Sequence, residues 1–257
     1  MDFNNNNTDI YSVNSQESEL YYSYSGDGTT SEYTTVHAPE AVPAYDVISK
    51  SFIFMFIALL ITAFSAATTT PEAAINLIAK GGFTIILILE LIIVFTSNIV
   101  IAMNKPIIAG ILYVVYSYLT GILCSIIFRI YAYSSVTSIF LVSAAVFLVM
   151  AIYGLVTDAN LATWKTALSM GLIGLLIAYP VNAFILHSDS FDTTLCCLGV
   201  LLFAGLVAFD TKNMKERVKQ ATPETELSMS LYCAFELYLD FINLFLRLLR
   251  IMGKKKN

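Results

Sequence analysis

The sequence predicts an all-α polytopic membrane protein with seven transmembrane helices, and three observations carry that prediction. Seven stretches of roughly 20 apolar residues, the length that crosses a bilayer, follow one another from Val47 onward. Hydrophobic residues make up 57% of the 257 positions and charged residues only 13%, where soluble domains hold about 45–50% and 25%; the mean hydropathy is +0.73. Finally, the alternating pattern of a transmembrane β-strand is absent from these stretches.

Residues 1–46 stand apart from the rest. They are rich in Asn, Ser, Thr and Tyr, and hold eight acids (Asp2, Asp9, Glu17, Glu19, Asp27, Glu32, Glu40, Asp46) with no Lys or Arg. Isolated aliphatics cannot bury enough apolar surface to offset ordering entropy, so a disordered tail is expected. The tail lacks the basic n-region of a signal peptide. Its six tyrosines make it a candidate docking or phosphorylation segment for a protein partner, the alternative being a merely soluble tail. The remaining chain carries fourteen bases against eleven acids, a net of +3. The acidity therefore belongs to the tail, and nothing in the balance points to nucleic acid.

From residue 47 a seven-helix domain runs to residue 257. The spans are placed at 49–69, 82–103, 107–128, 136–156, 166–186, 193–211 and 229–251. Polar breaks separate them in turn: TTTPEAA, NKP, RIYAYSS, TDANLATWK, HSDSFD and the longer DTKNMKERVKQATPETE. Orientation follows Lys and Arg in short loops. With a cytoplasmic N-terminus, Lys50, Lys105, Lys165, Lys212, Lys215, Arg217 and Lys219 lie inside, and only Lys80 and Arg129 outside. Seven full crossings then place Lys254, Lys255 and Lys256 outside, against the rule: either the C-terminal tail is an exception, the reading preferred here, or the last helix does not cross fully.

Ionisable groups within spans are functional candidates by default. Glu90 sits well inside the second span, and Asp210 closes the sixth. The seventh, SMSLYCAFELYLDFINLFLRLLRIMG, carries the densest set. At 100° per residue, Tyr232, Glu236, Asp240, Asn243, Arg247 and Arg250 fall on one stripe about 80° wide. Lipid cannot hydrate such a stripe, so it is expected to face the bundle interior or a water-filled path. Arg247 and Arg250 are near enough to the helix end to snorkel to the headgroups. Glu236 and Asp240, one turn apart, are like charges that share a proton or a cation.

Other chemistries find little support. Cys124, Cys196, Cys197 and Cys233 all lie in apolar runs and form neither a disulfide framework nor a zinc spacing. With His37 and His187 the only histidines, zinc-dependent and serine–histidine hydrolysis are not expected. Aspartyl membrane proteases use two intramembrane aspartates, but in Tyr-Asp and Gly-x-Gly-Asp contexts that Asp210 and Asp240 lack. No enzymatic activity and no cofactor are expected.

The stretch LYLDFINLFLRLLRIMG at 237–253 resembles the closing pattern of the Bax inhibitor family: Leu-Tyr-x-Asp-x-x-Asn-x-Phe, then Leu-rich turns and Gly. FDTKNM at 209–214 resembles the end of that family's sixth helix. Weaker likenesses are ELIIVF at 90–95, FLVMAIYGLVT at 147–157 and the region of Asn182, so the resemblance covers about 47–257. It implies six helices wrapped around a central C-terminal seventh. It also implies a pH-sensitive Ca2+ leak in bacterial members, and lowered stored calcium with suppressed cell death in eukaryotic ones. The family's paired aspartates map onto Asp210 and Asp240, which in relatives share a hydrogen bond whose protonation is coupled to gating.

The expected function is therefore a cation leak in the membrane, with Ca2+ as permeant ion and Asp210 and Asp240 as pH sensor and gate. Oxygen ligands suit Ca2+, so the same two aspartates are the candidates for a transient metal site, with Glu236, Asn243 and Glu90 along the pathway. The alternative is a non-conducting regulator of a protease or a cell-death or stress pathway. The membrane is the plasma (inner) membrane in a bacterium and an endomembrane in a eukaryote. Three features depart from the family. TSNIVIAMNK at 96–105 lacks the Arg that in some relatives pairs with the sixth-helix Asp, Glu236 adds a third carboxylate expected to strengthen cation attraction or broaden the titration, and the acidic tail has no counterpart in the compact bacterial members.

Overall fold

The computed structural model describes residues 12–13, 20–21, 42–160, 163–219 and 221–256. Seven helices among them are long and apolar enough to cross a membrane. They are α1 (Ala44–Thr68), α3 (Gly82–Ala102), α4 (Pro106–Ile130), α5 (Tyr133–Val156), α6 (Trp164–Val181, extended by a π-helical turn at Asn182–Leu186), α7 (Asp189–Val218) and α8 (Glu226–Met252). In the N-terminal tail, β1 (Ser12–Val13) and β2 (Leu20–Tyr21) pair antiparallel; Ala44–Asp46, expected in the disordered tail, open α1 instead, and the expected disorder of residues 1–11, 14–19 and 22–41 lies outside the described residues.

Each expected span is a helix, usually longer by a turn, because helices continue past the hydrocarbon into the interface. α1 begins behind Pro43, whose carbonyl accepts from the Asp46 N–H at 2.9 Å. The expected break TTTPEAA holds an additional short helix, α2 (Pro71–Ala79). Thr70 starts it, accepting from the Ala73 N–H at 3.3 Å, with Pro71 in the first-turn position proline favours. After α6, Asn182 closes the turn: its side chain donates to the Ser188 carbonyl and accepts from the Ser188 N–H, both at 3.1 Å.

The largest departure is α7. The segment expected as a loop after 211 is helical to Val218, so Asp210 lies two turns inside a helix and does not close it. The continuation has its own buried face, since Val207, Thr211, Met214 and Val218 recur at helical spacing and are all buried. Its lysines are also engaged. Lys212 donates to the carbonyls of Thr157 (3.2 Å) and Ala159, and Lys215 to that of Leu155 (2.9 Å). These are the free carbonyls at the end of α5, where a cation is favoured.

α8 is the buried element. Of its most apolar 18 residues 67% are buried, against 39% or less in each other span. It packs most extensively on α7 and α1, then on α5, α4 and α3, while α6 packs chiefly on α7. Aromatic rings hold α8 in place. Tyr113 and Tyr116 of α4 meet Phe235 edge-on at 5.3 and 5.2 Å, and Tyr238 at 5.7 and 6.0 Å. From α5, Phe140 and Phe147 meet Phe241 at 5.3 and 5.5 Å. The Tyr238 hydroxyl, wholly buried, lies 2.6 Å from Thr62 Oγ1 of α1, so a polar contact fixes the rotation of α8 where apolar packing alone is permissive.

α8 crosses fully. Its C-terminal extension hydrogen-bonds to the α4–α5 connection, with the Ala132 N–H donating to the Lys254 carbonyl and the Lys256 N–H to that of Ile130, both at 2.9 Å. Lys254–Lys256 thus sit at the end of the bundle opposite Lys212, Lys215 and Lys219, hereafter the lysine end.

Close approach of α5 and α7 depends on Gly154, where a Cβ would collide with the Ala208 carbonyl oxygen and come within 3.0 Å of Thr211 Cβ. Gly154→Ala is expected to cost about 1–3 kcal/mol by overpacking, read as a lowered thermal-unfolding midpoint in detergent. Gly174→Ala, which meets nothing within 4 Å, should leave the midpoint unchanged.

Candidate functional site

The polar stripe of α8 faces α7. The two helices run antiparallel, and α7 answers the stripe residue by residue. Arg217 pairs with Glu236 at 2.8 Å, and its guanidinium lies 4.5 Å from the Tyr232 ring centroid. Asp210 meets Asp240. Phe203 and Gly199 receive Arg247, and Asp192 pairs with Arg250 at 2.6 Å. The α7 positions 192, 199, 203, 210 and 217 are spaced by seven or four, hence on one helical face. The stripe is therefore a polar seam between two helices, with Asp240 buried, Tyr232, Glu236, Asn243 and Arg247 partly buried, and Arg250 exposed at its end.

At the middle of the seam the carboxyl groups of Asp210 and Asp240 lie side by side. Asp240 is 5% exposed, and its Oδ2 receives no hydrogen bond. Ionised carboxylates only accept, so a hydrogen bond between two carboxyls requires a proton on one of them. Asn213, one turn on in α7, stands beside Asp210. The sequence-predicted pair is thus brought together.

Glu236 is one turn from Asp240 but half-buried and held by Arg217. Besides Asp240, it therefore has a partner that the stripe alone did not reveal, the Arg217 guanidinium of α7. Arg247 does not snorkel. Its guanidinium stacks 4.1 Å from the Tyr179 ring centroid of α6 and 5.6 Å from that of Phe203, because Gly199 leaves room for its stem. Arg250, more exposed, pairs with Asp192.

Glu90 and Asn243 lie apart from the aspartate pair, on a common cleft. This cleft, of 520 Å³, opens between α3 and α6 and is floored by Glu90, Tyr116, Tyr179, Asn243 and Arg247. Glu90 accepts a hydrogen bond from Thr120 Oγ1 at 2.8 Å, and Asn243 donates to the Leu239 carbonyl of its own helix at 2.8 Å. A second cleft, of 570 Å³, opens at the end away from Lys212, Lys215 and Lys219, lined by Asp189, Asp192, Arg250 and Lys255 among others; Asn243 and Arg247 border both. Among the described residues no three His, Cys, Asp or Glu side chains gather as a metal cage.

Sequence reasoning missed Arg217, Asp192 and Tyr179 as members of the site. The spacing 192–199–203–210–217 was the signal for the first two, hidden because 212–218 reads as a polar loop. For Tyr179 there was none: its role depends on where α6 lies.

Asp240→Asn keeps a donor for Asp210 and is expected to unfold near the wild-type midpoint. Asp240→Leu leaves the Asp210 carboxyl unmatched, at a cost of about 1–3 kcal/mol. Equal thermal midpoints for wild type and Asp240→Leu in detergent would refute the pairing.

The chain is similar to known proteins over the whole helical domain. The family described as inhibitor of apoptosis-promoting Bax1 matches residues 45–257. Inner membrane protein YbhL of Escherichia coli K12 is 37% identical over 209 residues, covering 79% of this chain and 89% of YbhL. Uncharacterized protein RP147 of Rickettsia prowazekii is 38% identical over 212 residues (81% of this chain, 89% of that protein). An uncharacterized protein of Borreliella burgdorferi is 35% identical over 215 residues (82% and 92%). A match of this extent and identity, over a bundle of seven membrane-length helices, places the protein among the integral membrane proteins of the Bax inhibitor family.

Proposed function

We propose that the protein is a pH-sensitive Ca2+ leak pathway gated by the proton that Asp210 and Asp240 share. The observation that carries the reading is the contact of these two carboxyls at the middle of the bundle, with Asp240 buried and one of its oxygens without a donor. While the proton is present the carboxyls bond and draw α7 and α8 together. Its loss leaves two like charges in contact away from water, which repel, and the seam parts where they stand. Asn243, one turn from Asp240, borders both clefts, so parting at this level joins the pair to space reaching the end away from the lysines.

A cation entering there meets Asp189 at the mouth, beside the Asp192–Arg250 pair and Lys255, and Asn243 and Glu90 farther in. Two carboxyls and an amide offer fewer oxygens than the six to eight Ca2+ takes. The ion is thus bound transiently, as a conducting path requires. The lysine end, with Lys105, Lys165, Lys212, Lys215 and Lys219, is the cytoplasmic side by the charge rule, and the name of the YbhL relative supports an inner membrane.

The test is Ca2+ flux into dye-loaded proteoliposomes across a pH series. Wild-type flux should change with pH, and Asp210→Asn and Asp240→Asn, measured separately, should each flatten the profile. Absence of flux at every pH would favour a membrane regulator that conducts nothing.

A further inference from the structure

Between the aspartate pair and the lysine end stands one charged layer, made by Arg217 of α7 with Tyr232 and Glu236 of α8. Arg217 follows Asp210 by two helical turns, and Glu236 precedes Asp240 by one, so the layer lies on the same two helix faces as the pair. The guanidinium is held twice, by Glu236 Oε2 at 2.8 Å and by the face of Tyr232 at 4.5 Å. The other cations that neighbour it in sequence point elsewhere. Lys212 and Lys215 bind the carbonyls ending α5, and Lys219 pairs with Glu216 at 2.6 Å. Of these cations only Arg217 turns into the seam. An arginine so fixed is a preorganised positive charge, and a fixed arginine in a narrow polar path is a barrier to cations.

We infer that Arg217, positioned by Glu236 and Tyr232, is the cation barrier of the pathway at the lysine end. This rests on the leak reading and adds to it a second control point, away from the aspartates. Glu236 acts here through Arg217: by compensating the guanidinium it sets the height of the barrier, and does not itself draw Ca2+ inward. Cys233, buried and adjacent to Arg217 and Glu236, belongs to the same layer and reports whether water reaches it.

The two members of the pair should have opposite effects on Ca2+ flux in proteoliposomes. Arg217→Gln removes the barrier charge and raises the leak about tenfold. Glu236→Gln leaves the guanidinium uncompensated and lowers it, while Arg217→Lys keeps the charge and a near wild-type rate. A pair that merely held two helices together would shift Arg217→Gln and Glu236→Gln in the same direction, and that result overturns the inference. A second readout is independent of flux: a membrane-impermeant thiol reagent, with the labelled cysteine located by mass spectrometry. Cys233 should label slowly in wild type and rapidly in Arg217→Gln. Flux missing from wild type and all variants overturns the leak reading; equal labelling of Cys233 in wild type and Arg217→Gln overturns the barrier.

Discussion

Asp240 places a carboxyl group at the midpoint of a helix surrounded by apolar side chains, where neither water nor lipid can satisfy it. The arrangement of α8 follows from that demand. α7 supplies the one partner at hand, another carboxyl, and the two can bond only through a proton. In the gate proposed above, the pair joins when the proton is present and repels when it is absent, and the helices carrying it would convert that local chemistry into a change of spacing between α7 and α8.

The elements around the seam keep α8 from rotating away from α7. Tyr113, Tyr116, Phe140 and Phe147 grip its aromatic faces, and the Tyr238–Thr62 contact ties it to α1. The outward faces of the other helices are apolar, with Ile85, Leu91 and Phe95 on α3 and Leu141, Leu148 and Val149 on α5 among the exposed side chains. Two kinds of surface thus divide the work. The mantle satisfies lipid, and the seam gives Glu236, Asp240, Arg247 and Arg250 partners in protein, with Asp240 the one among them that is buried.

Above and below the aspartates the seam ends in ion pairs, Asp192–Arg250 at one end and Arg217–Glu236 toward the other. A half-buried pair loses much of its Coulombic gain to desolvation, so such pairs are better explained by specificity than by stability. They set the register in which Asp210 meets Asp240: a slip of α7 by one turn would separate both ion pairs and the carboxyls together. Arg247, lodged against Gly199, Tyr179 and Phe203, adds a steric marker of the same register.

Much of this was legible in the chain itself. Span length and apolar composition determined seven helices, because the hydrocarbon thickness leaves little choice. The 100° period placed Glu236, Asp240, Asn243 and Arg247 on one face, because a helix carries its angular pattern wherever it goes. The family pattern at 237–253 and 209–214 pointed to Asp210 as the partner of Asp240. The extent of α7 was hidden, since its polar end is stabilised by lysines reaching the carbonyls of α5, a contact between segments 55 to 60 residues apart. So too was the pairing of Glu236 with Arg217. A helical wheel gives an angle about one axis and is silent on which neighbour lies at that angle or in which register. That choice belongs to the antiparallel docking of α7 on α8, and only the tertiary structure decided it.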